Sequence, residues 1–140
     1  MARSEKKSRR LVVDDTAFLW KVGHRHERDD GPARNCREVL TLRPLDGRGR
    51  LEIVFRGGPG RMVPDGWLHS GGVESADAYL NLNKPGSVRA LLDEVLAAHG
   101  WDTDDAVPRT IDGWPLFDAV SARRTEAEAE PAQGGTDRPD

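Results

Sequence analysis

His24 and His26 stand two residues apart in a stretch whose apolar residues alternate, so on a strand both imidazoles project from one face. Histidines presented that way are a common beginning of a metal site. Cys36 opens the next apolar run and supplies a thiolate that can face them across a hairpin. A zinc ion on His24, His26 and Cys36 would take water, Asp29 or Asp30 as its fourth ligand. Against this, the pair adjoins a charged loop, and a small buried cysteine needs no chemical role. Two solvent-facing histidines are the plainer expectation, and no cofactor is required.

Two further patterns carry chemistry on paper. Arg56-Gly57-Gly58-Pro59-Gly60-Arg61 sets glycine amides between two arginines, a composition that can cradle phosphate or carboxylate. It lacks the lysine and Ser/Thr of a P-loop and opens onto no helix, so a wide turn with its arginines in water is the alternative. His69-Ser70 puts an imidazole beside a hydroxyl, with Asp65 or Asp77 to complete a triad. Adjacent side chains rarely meet in hydrogen-bond geometry, and no nucleophile elbow is present. Trp67 and Trp114 each follow an Asp-Gly pair, which suggests half-exposed indoles at turns, whereas Trp20 and Trp101 fall in periodic, buried contexts. Arg61, Trp67 and His69, with neighbouring Arg56, offer charge, aromatic area and a titratable donor in one long loop. They are the expected contact with any ligand or partner.

The elements that position these residues follow from periodicity. Apolar residues alternate through Leu11, Val13, Phe18, Trp20 and Val22, then Leu40 and Leu42, then Leu51, Ile53 and Phe55, with turns at Asp14-Asp15-Thr16 and Asp46-Gly47-Arg48-Gly49. The pattern predicts strands at 10–14, 17–25, 36–43 and 50–56, a polar loop at 26–35, and a long glycine-rich region at 57–78 before a short strand at 78–82. One helix is predicted at 85–99: Asn83 can cap it, Pro85 suits its first turn, and Gly100 closes it with Trp101 folding back. Its stripe is Val88, Leu91, Leu92, Val95 and Leu96. After an aspartate-rich linker, Ile111, Trp114, Leu116, Phe117 and Val120 read as a last strand or short helix. The expected fold is α+β, an antiparallel sheet of four to six strands in consecutive hairpins with one main helix on one face. Its core draws on Val13, Phe18, Trp20, Val22, Leu40, Leu42, Leu51, Ile53, Phe55, Leu80, Leu82, Leu91, Leu92, Val95, Leu96, Trp101, Leu116 and Phe117.

The 140 residues suffice for one domain with a real core, here 10–122. Residues 1–9 read as a disordered basic arm. Residues 123–140 read as a disordered acidic tail, whose first few residues can extend a terminal helix or strand. The tail has no Val, Leu, Ile, Met or aromatic residue with which to offset its ordering entropy. No apolar run approaches a membrane span of roughly 18 residues. A single cysteine excludes an intrachain disulfide framework and fits a reducing cytoplasm. The net charge of −3 hides a split: 34–61 carries seven arginines against three acids, while 84–105 carries two basic residues against five acids. Such asymmetry can steer an anionic partner, although solvated strand faces with mutually paired charges would look the same. Three function classes follow. The leading one is a non-catalytic binding module, with another protein as partner. The second is a nucleic-acid-associated protein using the basic arm and the arginine-rich hairpin. The third is a small metal protein or enzyme built on His24, His26 and Cys36.

Overall fold

The alternation of the first half folds as a meander. In the computed structural model, which describes residues 8–27, 34–63, 71–75 and 78–129, β1 (Arg9–Val13), β2 (Thr16–Glu27), β3 (Arg34–Pro44) and β4 (Leu51–Arg56) pair antiparallel in chain order. The β1–β2 turn places Asp14 at φ 48° and Asp15 at φ 70°. Two successive left-handed residues form the turn whose twist matches a tight hairpin, and a short acidic side chain tolerates that conformation better than most.

The chain then leaves the sheet. β5 (Arg61–Met62), β6 (Gly72–Ser75) and β7 (Ala78–Asn81) form a separate three-stranded antiparallel sheet. Helix α1 (Pro85–Glu94) follows and runs without a break into a π-helical turn, Val95–His99. Strand β8 (Arg109–Asp112) joins the first sheet beside β4 and parallel to it, with Ile53 opposite Ile111, giving the order β1-β2-β3-β4-β8. Helix α2 (Trp114–Ala129) completes the described chain.

Several expectations change. The main sheet is mixed, because a parallel partner for β4 requires a crossover, and the 57–108 excursion is that crossover. Two helices are present where one was expected, and α2 takes in residues 123–129 of the expected tail. The glycine-rich region is not one loop but holds β5 and β6. Lys84 occupies the N-cap of α1 without a side-chain bond, and Asn83 instead turns its amide toward Asn81 Oδ1 at 2.9 Å. Proline at the first helical position removes one of the donors a cap would serve.

The inner face of the main sheet carries Phe18, Trp20, Val22, Leu40, Leu42, Leu51, Ile53 and Phe55. They form a single cluster with Val88, Leu91, Leu92 and Val95 and with Leu116, Phe117 and Val120. Every expected core residue is buried except Leu96, which is 38% exposed because the stripe rotates away through the π turn. Trp101 is buried and packs on Phe18 of β2, with ring centroids 5.9 Å apart. Gly113 is fixed by proximity: a Cβ there would lie 2.6 Å from the Phe55 ring.

Candidate functional site

The two histidines separate in role. Residues 20, 22 and 24 of β2 share a face, and in register His24 stands opposite Glu38 on β3. Glu38 therefore points to the same side as Leu40 and Leu42, and it is fully buried. A carboxylate in that position requires donors. His24 Nδ1–H donates to Oε1 at 2.8 Å, and the Gly71 N–H donates to Oε2. The pair thus ties the meander to the segment that opens β6. His24 retains 19% side-chain exposure and is not the solvent-facing residue expected, whereas His26 is exposed, its ring centroid 5.3 Å from that of His24. Cys36 is partly buried. Among the described residues, no three of His, Cys, Asp and Glu come together as a metal-ion site.

The glycine loop is a tight turn. Gly58 N–H and Arg61 N–H donate to each other's carbonyls at 3.1 and 3.0 Å around Pro59-Gly60, with Gly60 at φ +73°. Proline followed by a left-handed glycine is the sequence of a type II turn. The bonding uses the amides of Gly58 and Arg61, so they do not form an anion nest. The turn does bring Arg61 back toward Arg56. The Arg61 guanidinium lies 5.3 Å from the Trp114 ring centroid, and Trp114 Nε1–H donates to the Arg56 carbonyl at 2.9 Å. Trp114 is 2% exposed, contrary to the half-exposed indole expected, because Phe55 and Phe117 close on it with centroids 5.3 and 5.0 Å away. Arg56, Arg61, Trp114, Val54, Thr110 and Asp112 line a cavity of about 240 Å³ at the carboxyl ends of β4 and β8. Trp67 and His69, with Asp65, Ser70 and Asp77, lie outside the described residues.

The largest charged feature is the arginine-rich hairpin noted in the sequence, whose side chains the register gathers onto one face. Register places Arg10, Lys21, Arg25, Arg37, Arg43 and Arg56 on the outer face of the main sheet, with Arg50 at the edge of β4 in the same phase. Opposed to these seven are three acids on the described outer face, Glu27, Glu52 and Asp112, with Glu27 just beyond the bulge at the end of β2. Arg25 and Arg50 both reach Glu52, at 3.3 and 3.2 Å. Arg10, Lys21, Arg43 and Arg56 are exposed and make no ion pair among the described residues. Arg25, Arg37 and Arg56 are direct register partners, one ladder row across three adjacent strands. Between this row and the basic residues at the other end, Gly23, Val39 and Val54 form a floor of small side chains. The signal was available: Lys21 and Arg25 share a phase on β2, as do Arg37 and Arg43 on β3, opposite to that of Trp20, Val22, Leu40 and Leu42.

Comparison of the chain with family models, curated proteins and solved structures returned no match in any of the three. Among the described residues, no helix is long and apolar enough to cross a membrane.

Proposed function

We propose that this chain is a non-catalytic binding module that takes an anionic macromolecular partner on the outer face of its five-stranded sheet. The observation that carries the reading is the asymmetry of that sheet. Its inner face is consumed by the core, while its described outer face presents seven basic side chains against three acidic ones. Like charges directly opposite on neighbouring strands destabilise a sheet, so the Arg25–Arg37–Arg56 row opposes folding and favours an anion laid across it. Arg56, expected from the sequence to touch a partner, belongs to this row. Arg61 and the cavity beside Trp114 continue the basic surface around the sheet edge.

The test is retention on an immobilised polyanion in a salt gradient, comparing the full chain with Lys21→Glu/Arg43→Glu/Arg56→Glu. These three side chains are exposed and carry no ion pair among the described residues, so the variant keeps its fold, as circular dichroism will verify. The variant is expected to elute at clearly lower salt. Elution of both proteins together at low salt would reject the reading.

A further inference from the structure

We infer that the partner on this face is double-stranded nucleic acid, held by its sugar–phosphate backbone; the inference rests on the polyanion reading above. Three observations select it. The first is the identity of the cations. Six of the seven basic side chains on the outer face are arginine, whose planar fork matches phosphate oxygens in pairs, where lysine offers a point charge.

The second is their placement. Arg25, Arg37 and Arg56 form one bank. Arg43 stands six residues from Arg37 along β3, a separation of about 20 Å in extended chain, and gathers with Lys21 and Arg50 around a shallow hollow that also includes Leu19 and Thr41. Between the banks lie Gly23, Val39 and Val54, with Val39 and Val54 buried beneath neighbouring side chains and the Arg25–Glu52 ion pair crossing from β2 to β4. Two positive banks about 20 Å apart suit a partner that presents phosphates from more than one strand. A duplex is built that way, its phosphates standing on the rims on either side of each groove.

The third observation separates a duplex from a single strand. Proteins that hold single strands pair a basic groove with aromatic side chains on which the unpaired bases stack. The described outer face has no aromatic residue: its uncharged members are Val12, Ala17, Leu19, Gly23, Val39, Thr41, Val54 and Thr110. All described tryptophans and phenylalanines are in the core. A surface that grips phosphate and offers nothing to a base favours a partner whose bases are already stacked and paired. The described outer face holds no asparagine or glutamine, and its arginines are spread along the two banks, which suits contacts to the phosphate backbone in preference to base edges.

The experiment is fluorescence anisotropy with the full chain and a labelled duplex of about two helical turns, as DNA and as RNA. Each separated strand, a duplex of scrambled sequence and polyglutamate serve as comparators, over a series of salt concentrations. The expected result is a duplex at least about fivefold tighter than either strand and indifferent to scrambling. With five or six phosphates neutralised, log K should fall with log salt at a slope of about −4.5 to −5.5. Arg43→Glu/Arg56→Glu should weaken duplex binding at least about tenfold and flatten that slope by about two. Tighter binding of a single strand, or polyglutamate binding as well as the duplex, overturns the duplex inference and leaves the polyanion reading standing. Failure of all these probes at low salt overturns both.

Discussion

Glu38 offers the sharpest test of how the molecule is tied together, because one buried carboxylate joins two parts of the chain. Its side chain is fully buried, Oε1 receives His24 Nδ1–H at 2.8 Å, and Oε2 receives the Gly71 N–H. In Glu38→Ala the Gly71 amide, on a buried residue, loses its acceptor at about 1–3 kcal/mol. One methylene, Cγ, leaves the interior at about 0.8 kcal/mol. His24, 19% exposed, turns to water and adds little, while relief of the carboxylate's own desolvation opposes the loss. The expected net destabilisation is about 1.5–3 kcal/mol. Glu38→Gln separates geometry from charge. Its carbonyl accepts from Gly71, and its amide donates to His24 Nδ1 once the imidazole carries its proton on Nε2, so both contacts survive in a neutral form. That variant should lose less than about 1.5 kcal/mol. Urea unfolding followed by tryptophan fluorescence gives both values by linear extrapolation. The argument fails if the alanine variant loses under about 1 kcal/mol, or if glutamine costs as much as alanine.

The helix stripe supplies a matched pair. Leu92 is fully buried, so Leu92→Ala should cost about 2–5 kcal/mol, whereas Leu96→Ala, at a 38% exposed site, should stay under about 1 kcal/mol. Equal losses in the same urea assay would mean that the rotation through the π turn is misread. On the outer face, Arg56→Thr removes one of two directly opposed arginines and should raise stability by a few tenths of a kcal/mol while weakening duplex binding severalfold. Loss of stability would show that Arg56 supports the fold, and unchanged affinity would remove it from the binding face.

Most of the meander was legible because alternation is a local signal: the phase of Trp20 and Val22 fixes the inner face of β2 whatever lies far away. The same phase should have exposed Glu38. A carboxylate in step with Leu40 and Leu42 is either a break in the strand or a buried polar group with partners, and the second holds here. What escaped was non-local or too short to be periodic. β5 has two residues and β6 has four; β5 is a strand only through its pairing with β6, and β6 through its pairing with β5 and β7. β8 sits at the end of an aspartate-rich linker, and its pairing with β4 spans the whole crossover, so no window of sequence contains both. The run from Trp114 to Val120 suits strand or helix equally until Gly113, closed in by Phe55, fixes where the chain turns into α2.

The two faces of the main sheet answer to different demands, and their local consistency shows it. On the inner face, propensity, phase and burial agree at nearly every position, and its fully buried carboxylate, Glu38, is satisfied by His24 and the Gly71 N–H. On the outer face the same strands set arginine opposite arginine opposite arginine, while one glutamate, Glu52, serves both Arg25 of that row and Arg50. Interleaving Glu or Thr in that row would disturb no core contact, so folding alone gives no reason for the arrangement. Conflicts of this kind, absent from the core and concentrated on one open surface, are what a binding site looks like before its partner arrives. The polyanion assigned to this face adds counter-charge where basic side chains outnumber acidic ones.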